Sequence, residues 1–571
     1  DLTIPAGGFL VVAADQDEFI AHYGAVDQLT GGWTGSLSNR GEKIRLVDEM
    51  GEQVDEVGYH DQGEWAIRTR VTDTGEPGWT WEAAHDGTGE SLELIQAALT
   101  NKSGQNWQAS DGGPTPGAVN SAALDESAMA PLIQDVAHSP LVPRSTDTVT
   151  IRARLRDTSM RNLSATLFYR VSALEAPEFS TIAMVDDGLH NDGDADDGVF
   201  GASLPAMEDE TIVEFYLSAS DGNNVRTWPA PTDIGQVANL HYQVDDEPNP
   251  EGEGIYRLIM TRAESQVFSG VDRDSNAQHH CTLVADDCSG PVVRYQCGVR
   301  VRGASSRQDN PPPMRINIPR DRPWNGSSQM NVNTQFTWLQ FIGMKLFQAS
   351  DLPAPDSKRI AFRRNGSDPA RERQEDYGSF VHLQPLNFEF VDKKMSKDSQ
   401  GNLYKKVRPD VNWAYRGGDL DRYARDGWGK QTNGSENDWT DLDEFLRVMN
   451  RADNDPDYID QVEAVANLDQ WMRWFAVETL IANGETNASN GTDDDYSMYR
   501  GVLDPRFLFI PHDLDTILGR GDGSRITDPQ HTIFDMVRSG QVLGPLVPLF
   551  EEPVIRARYF QALRNLMQTR C

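Results

Sequence analysis

The chain has 571 residues, with 88 acidic against 52 basic side chains and a formal net charge of −36. Hydrophobic residues at 38% and aromatic residues at 9% are enough to build packed cores, which excludes wholesale disorder. At roughly 100–200 residues per domain the length implies three or four domains, and no window approaches the roughly 18 uninterrupted apolar residues of a membrane helix.

The chain begins at Asp1 and has no basic segment followed by an apolar one, so any export leader is expected to lie outside this stretch. Most of the acidic excess falls before residue 255. Such surfaces repel nucleic acid and anionic lipid and favour solubility in salt, as an extracellular habitat demands. The better balanced remainder can take an anionic ligand locally.

Residues 1–121 read as short strands between turns. Apolar runs at 8–14, 43–47 and 91–95 are bounded by Gly, Asn and Asp clusters, the pattern of a β-sandwich. The wording IPAGGFLVVAAD, WTGSLSNRGEKIRLVDEMGEQVDEVGY, GESLEL and PTPGAVN resembles the lamin-tail domain, an immunoglobulin-like module attached to many bacterial surface and secreted proteins. By that resemblance the family's opening strands would precede Asp1. Trp33, Trp65, Trp79, Trp81 and Trp107 either form a sugar-binding face or serve as core and loop anchors, the commoner use of aromatics alternating with turns.

A polar, alanine-rich stretch at 121–130 is a linker. Residues 132–245 alternate apolar and polar positions again, notably at 148–155, 165–171 and 211–217. This is a second β-sandwich, similar to fibronectin-like or immunoglobulin-like spacer modules. Between its strands, residues 186–197 are dense with carboxylates. Asp192, Asp194 and Asp196 are candidate ligands for Ca²⁺, a hard ion that takes six to eight oxygens. The spacing fails the EF-hand pattern, since Asp197 stands where the sharp-turn glycine belongs and Ser203 where the bidentate Glu belongs. A solvated acidic turn is the competing reading.

The Pro-, Gly- and acid-rich stretch at 245–254 marks the next boundary. Residues 255–571 mix strands with helical periodicity: Leu468, Trp471, Met472, Trp474, Phe475, Val477, Leu480 and Ile481 give one broad apolar face. The expected fold class is therefore two N-terminal all-β sandwiches followed by an α+β domain. Cys281, Cys288 and Cys297 lie within 17 positions without close CxxC pairs, and His279 and His280 precede them. A metal site is conceivable, but a local disulfide is the preferred reading and implies an oxidising compartment. Cys571 is the fourth cysteine, and the pairing stays open.

The last segment carries, in order, VRVRGASSRQDNPPPMRINI, YGSFVHLQPLNFEFVD, GNLYKK, NLDQWMRWFAVETLIANGE, DDDYSMYRG and FLFIPHDLDTILG. Together these resemble the CotH family of atypical, kinase-like proteins first associated with spore coats, whose closing helices would be cut short at Cys571. The resemblance implies ATP with Mg²⁺ or Mn²⁺ as cofactor. Physically, a hydrophobic strand at 507–510 delivers Asp513 and Asp515 to the edge of a core, where carboxylates two residues apart can share a hard cation that bridges phosphates. Asp513 matches the Asp of the family's PWDLD motif, with His512 in place of the usual Trp. Asp495 matches a position usually written as Asn in NYxLY, so Asp495, Asp513 and Asp515 are the candidate metal ligands.

Phosphoryl transfer also needs a carboxylate to take or orient the hydroxyl proton. Glu485, Asp493 and Asp494 crowd the preceding polar loop, and Asp493 is preferred, with Glu485 next. In RVRGASSR, the match to the family's RGxSS element makes Arg302, Gly303, Ser305 and Ser306 candidate nucleotide-binding residues, with Arg307 adding charge. Where relatives show a Lys pair before YRI, this chain has Pro312, Pro313 and Met314, leaving Arg315 as a substitute whose planar fork differs from a lysine point charge. Lys405 reads as a hairpin residue and Glu389 as a strand residue. No P-loop, GxSxG, HExxH, GxGxxG or HRD motif is present.

The implied function is an exported or surface-associated protein kinase that phosphorylates Ser or Thr of surface or coat proteins, with the sandwiches as anchors. The alternative is a non-catalytic extracellular protein whose kinase-like segment is a pseudokinase binding module. The expected partners are extracellular or surface proteins, and not nucleic acid. The expected domains are 1–121, 132–245 and 255–571.

Overall fold

The computed structural model describes residues 3–33, 35, 37–369, 380–407, 411–451, 456–483, 486, 495–521 and 544–569. Contacts divide the chain into two compact units. The first comprises Asp1–Gln308, Arg315–Ser328 and Phe362–Pro369; the second comprises Asp309–Met314, Gln329–Ala361 and Ala370–Cys571.

The first unit opens with two-stranded ribbons. Gly41–Val47 pairs with Gln53–His60, Ile67–Asp73 with Glu76–Glu82, and Leu92–Leu94 with Trp107–Ala109, all antiparallel. Val11–Ala13 pairs in parallel with Leu29–Gly31. The Ile67–Glu82 hairpin turns on Thr74 and Gly75, with φ of 50° and 89°, the two positive angles that a two-residue turn needs to match strand twist. The segment is β-rich as expected, but among the described residues these ribbons do not merge into two full sheets. A helix, Gln16–Tyr23, also interrupts the strands, because Asp15 accepts the Glu18 N–H at 2.9 Å as its N-cap. Trp65 and Trp79 are buried and Trp107 packs at 5.9 Å from Trp65. The Arg70 guanidinium covers Trp79 at 3.7 Å. These three rings anchor packing, whereas Trp33 is exposed.

Residues 132–245 form the second expected sandwich. One sheet orders Val199–Leu204, Val149–Arg156 and Leu132–Ser139; the other orders Ser180–Met184, Ser164–Val171, Ile212–Ser220 and Val225–Trp228, with Leu240–Gln243 also paired to Ile212–Ser220. Alternation decides the faces: Val149, Ile151, Ala153 and Leu155 point into a core shared with Leu167, Phe215, Leu217 and Tyr242.

The boundary stretch after this sandwich is tied down at its first residue. Asp245 is buried and accepts from Arg257 Nε at 2.7 Å and Arg363 Nη1 at 2.9 Å, and both arginine side chains are also buried. Beyond it, Gly254–Ile259, His279–Asp286 and Pro291–Val301 form an antiparallel sheet. In this sheet Cys281 lies directly opposite Cys297. Cys281, Cys288 and Cys297 are free thiols, so the expected local disulfide is not formed here. The Cys297 thiol instead contacts the Arg294 carbonyl oxygen at 3.3 Å. Burial pushes Cys297 up to about 12 and Cys281 well above the usual thiol range, which makes both poor nucleophiles.

The second unit mixes α and β. Its principal sheet orders Trp428–Lys430, Asn402–Lys406, Tyr496–Arg500 and Leu508–Pro511, all antiparallel. The Leu468–Leu480 helix lies against it with the predicted apolar face: Trp471, Trp474 and Phe475 pack on Phe509, and Trp471 Nε1 donates to the Phe507 carbonyl at 2.8 Å. The Gln470 side chain bonds both backbone groups of Phe509, at 2.8 and 3.0 Å. It thereby fills the hydrogen-bonding role of a missing neighbour strand.

The Asp245 trio sets a stability expectation. Burial alone would raise the Asp245 pKa, but the Arg257 hydrogen bond and the charges of Arg257 and Arg363 outweigh it and hold the carboxyl below its usual range. A depressed folded-state pKa contributes stability above the unfolded value that is lost as pH falls through the folded one. Asp245→Asn should lower unfolding free energy near pH 7 by about 3–5 kcal/mol, because two buried cations lose the carboxylate they share and only Arg363 keeps a second one, Glu247 at 3.5 Å. Chemical denaturation at pH 7 and pH 3 checks this: the mutational difference should shrink at the lower pH.

Candidate functional site

The strand pair Tyr496–Arg500 and Leu508–Pro511 is in register with Tyr496 opposite Pro511. Continuing one step past that end brings Asp495 beside His512, and the His512 N–H donates to the Asp495 carbonyl at 3.0 Å. Asp513 follows with φ of 45°, a left-handed conformation that Asp tolerates better than most side chains. The ligand atoms of Asp495, His512 and Asp513 all lie within 4.8 Å of one another; Asp495 is buried and the other two are half-buried. Asp515, also half-buried, is outside this trio.

Lys405 lies opposite Ser497 on the neighbouring strand. Its Nζ is 2.7 Å from His512 Nε2. An ammonium can only donate, so Nε2 is the lone-pair nitrogen of a neutral ring. The donor set of two carboxylates and one imidazole suits Mg²⁺ or Mn²⁺ at the oxygens and Mn²⁺ or a later transition metal at the nitrogen. Lys405, read from sequence as a hairpin residue, therefore belongs to the site; the signal was its place in a strand that also pairs with the residues after Asp495. His512 was noticed only as a departure from a motif, not as a ligand.

In the first unit, Pro291–Val301 ends just before Arg302, and a short 3₁₀ turn, Ser305–Gln308, follows. Gly303 has φ of 108°, and a Cβ there would fall 2.2 Å from Ser306 Oγ, so the tight turn requires glycine. Arg307 is a brace: its Nε donates to the Gly303 carbonyl at 2.9 Å, and its Nη1 to the carbonyls of Arg273 and Ser275 at 2.9 and 3.0 Å. Arg315 is pushed down to about 9 by burial and by the charges of Arg300 and Arg302. Arg300 is pushed down to about 10 by burial and by Arg307 and Arg302. Mutually repelling guanidiniums of this kind favour an anion. Arg300 was missed, although it stands only two residues before Arg302, at the end of the strand that leads to it.

The candidate bases Glu485, Asp493 and Asp494 lie outside the described residues, as does Cys571. Asp192, Asp194 and Asp196 do not converge. Asp192 is buried, but its oxygens accept backbone N–H groups of Asp187, Gly188 and His190 at 2.9, 3.2 and 2.9 Å. Asp194 and Asp196 are exposed, and the nearest grouping is Asp187, His190 and Asp192. The carboxylate of Asp192 accepts these backbone groups and closes its own loop, in keeping with the acidic-turn reading.

The CotH kinase protein family model matches residues 299–570, and the model of the conditioned medium factor second Ig-like domain matches residues 144–211. Comparison with curated proteins gives no match. Among solved structures the chain is similar to the cycloalternan-forming enzyme from Listeria monocytogenes in complex with pentasaccharide substrate, at 8% identity and a TM-score of 0.14, over 51% of this chain and 35% of that one. A likeness that loose carries no argument.

The arginine cluster makes a measurable claim. Inorganic pyrophosphate should raise the thermal unfolding midpoint of the first unit, by about 2.7 kcal/mol of added stability at a hundredfold excess over its dissociation constant. Arg300→Gln and Arg302→Gln should each reduce the shift, and added salt should weaken it. An unchanged shift in both variants would remove the cluster from anion binding.

Proposed function

We propose that the protein is an exported or surface-associated atypical protein kinase that transfers the γ-phosphate of ATP to Ser or Thr of surface or coat proteins. A lamin-tail-like segment and an immunoglobulin-like domain would serve as anchor or spacer. The observation that carries this reading is the convergence of Asp495, His512 and Asp513 at the open end of one strand pair, within the segment that the CotH kinase family model matches.

Asp495 and Asp513 would hold Mg²⁺ or Mn²⁺ through carboxylate oxygens, with the His512 imidazole as a third donor. A divalent ion there supplies neutralisation of phosphate charge. The Lys405 ammonium, 2.7 Å from the same imidazole, would add positive charge toward a phosphate. Arg300, Arg302 and Arg315 offer further positive charge to an anion. In the transfer, the hydroxyl oxygen forms a bond to the γ-phosphorus as the bridge to the β-phosphate breaks, ADP leaves, and the hydroxyl proton passes to a carboxylate. Asp493, or else Glu485, is the expected acceptor on sequence grounds. Imidazole among the donors favours Mn²⁺ over Mg²⁺.

The test is transfer of label from [γ-³²P]ATP with Mn²⁺ or Mg²⁺, alongside calorimetric titration of ATP. Wild-type protein should bind ATP and incorporate phosphate, more strongly with Mn²⁺. Asp513→Asn should lose about 10²-fold or more in rate while unfolding at a similar temperature. ATP binding without transfer would instead favour the pseudokinase reading, which the lack of a lysine pair in the Pro312-Pro313-Met314-Arg315-Ile316 run also supports.

A further inference from the structure

One buried acid in the second unit is not used by the proposed chemistry. Glu478 sits near the end of the Leu468–Leu480 helix with no exposed surface. Enclosing a carboxyl with no exposed surface is costly, and an apolar residue of similar size would pack there at less cost. Burial also pushes its pKa well above the usual carboxylate range, which favours the neutral acid.

What the acid touches explains its presence. Glu478 Oε2 accepts from Asn483 Nδ2 at 2.8 Å. The Asn483 N–H bonds the Glu478 carbonyl at 3.0 Å, and the intervening turn passes through Ala482 at φ of 50°. Asn483, fully buried, accepts through Oδ1 from Thr516 Oγ1 at 3.0 Å and from the Thr486 N–H at 3.4 Å. Thr516 is itself buried, three residues beyond Asp513. A second tie, from the Leu518 N–H to the Ile481 carbonyl at 2.6 Å, fixes the same two loops. The turn that carries His512 and Asp513 is thus gripped through a relay that starts at the helix.

We propose that Glu478 is a positioning residue for the Asp495–His512–Asp513 cluster, acting through Asn483 and Thr516 to fix the turn that bears Asp513. The inference rests on the metal-site reading above and deepens it. Groups that hold ligands from behind are worth about 10–100-fold in metal affinity. Glu478 therefore matters to the metal without touching it.

The experiment uses the full chain, with MnCl₂ alone as probe by calorimetry and amide hydrogen exchange as a second readout. Glu478→Ala should weaken Mn²⁺ binding by roughly 10–100-fold and speed exchange across 513–518 while leaving 471–475 protected. Glu478→Gln, which keeps a neutral acceptor for Asn483, should restore most of the affinity. Thr516→Val cuts the far end of the relay without opening the core, so it keeps the test valid if Glu478→Ala fails to fold; it should show the same two effects. Unchanged Mn²⁺ affinity and unchanged exchange at 513–518 would overturn the proposal, as would faster exchange spread evenly over the helix. If wild-type protein binds no Mn²⁺, the metal reading fails, and the exchange data alone decide whether Glu478 positions the turn.

Discussion

An antiparallel register only four residues long, Tyr496 to Tyr499 against Leu508 to Pro511, decides which side chains can meet at its open end. A slip of one residue would invert the faces of both strands and part Asp495 from His512. So short a ladder does not hold its own register. It is held from outside by the Gln470 amide on both backbone groups of Phe509, by Trp471 on the Phe507 carbonyl, and by aromatic rings stacked on Phe509. The chemistry of the candidate site is in this sense a property of the helix behind it.

Charge balance organises the rest. Two carboxylates and an imidazole converge beside a lysine ammonium in the second unit, while the first unit gathers arginines that raise one another's cost of ionisation. At Asp245 the charges pair off: Asp245 bonds Arg257 and Arg363, and Glu247 also pairs with Arg363, a set that ties the chain together. The acidic loop near Asp192 is also closed, with backbone N–H groups in the place of cations.

Much of this was legible in the sequence where a pattern repeats. Alternation located the immunoglobulin-like sheets, and helical spacing located the Leu468–Leu480 helix with its buried face. Motif order located Asp495 and Asp513. What escaped depends on pairing between distant strands, which no local pattern encodes. Lys405 reaches His512 only because its strand lies next to Tyr496–Arg500, and Arg300 joins Arg302 and Arg315 only through packing. The Gln16–Tyr23 helix was lost in a segment read as strands throughout, because its start is set by a single Asp15 cap and its faces are nearly all polar or exposed. Glu478 was hidden inside an apolar periodicity, where a single Glu reads as the solvent edge of a helix.

The central claim is that Asp495, His512 and Asp513 bind one divalent ion together. Pulsed electron paramagnetic resonance of protein loaded with one equivalent of Mn²⁺ tests it most directly, because a directly bound imidazole nitrogen modulates the electron spin echo. The account predicts a nitrogen modulation in the wild-type protein that disappears in His512→Gln while Mn²⁺ still binds through the carboxylates. Bound Mn²⁺ with no nitrogen modulation, or a modulation that survives in His512→Gln, would contradict it.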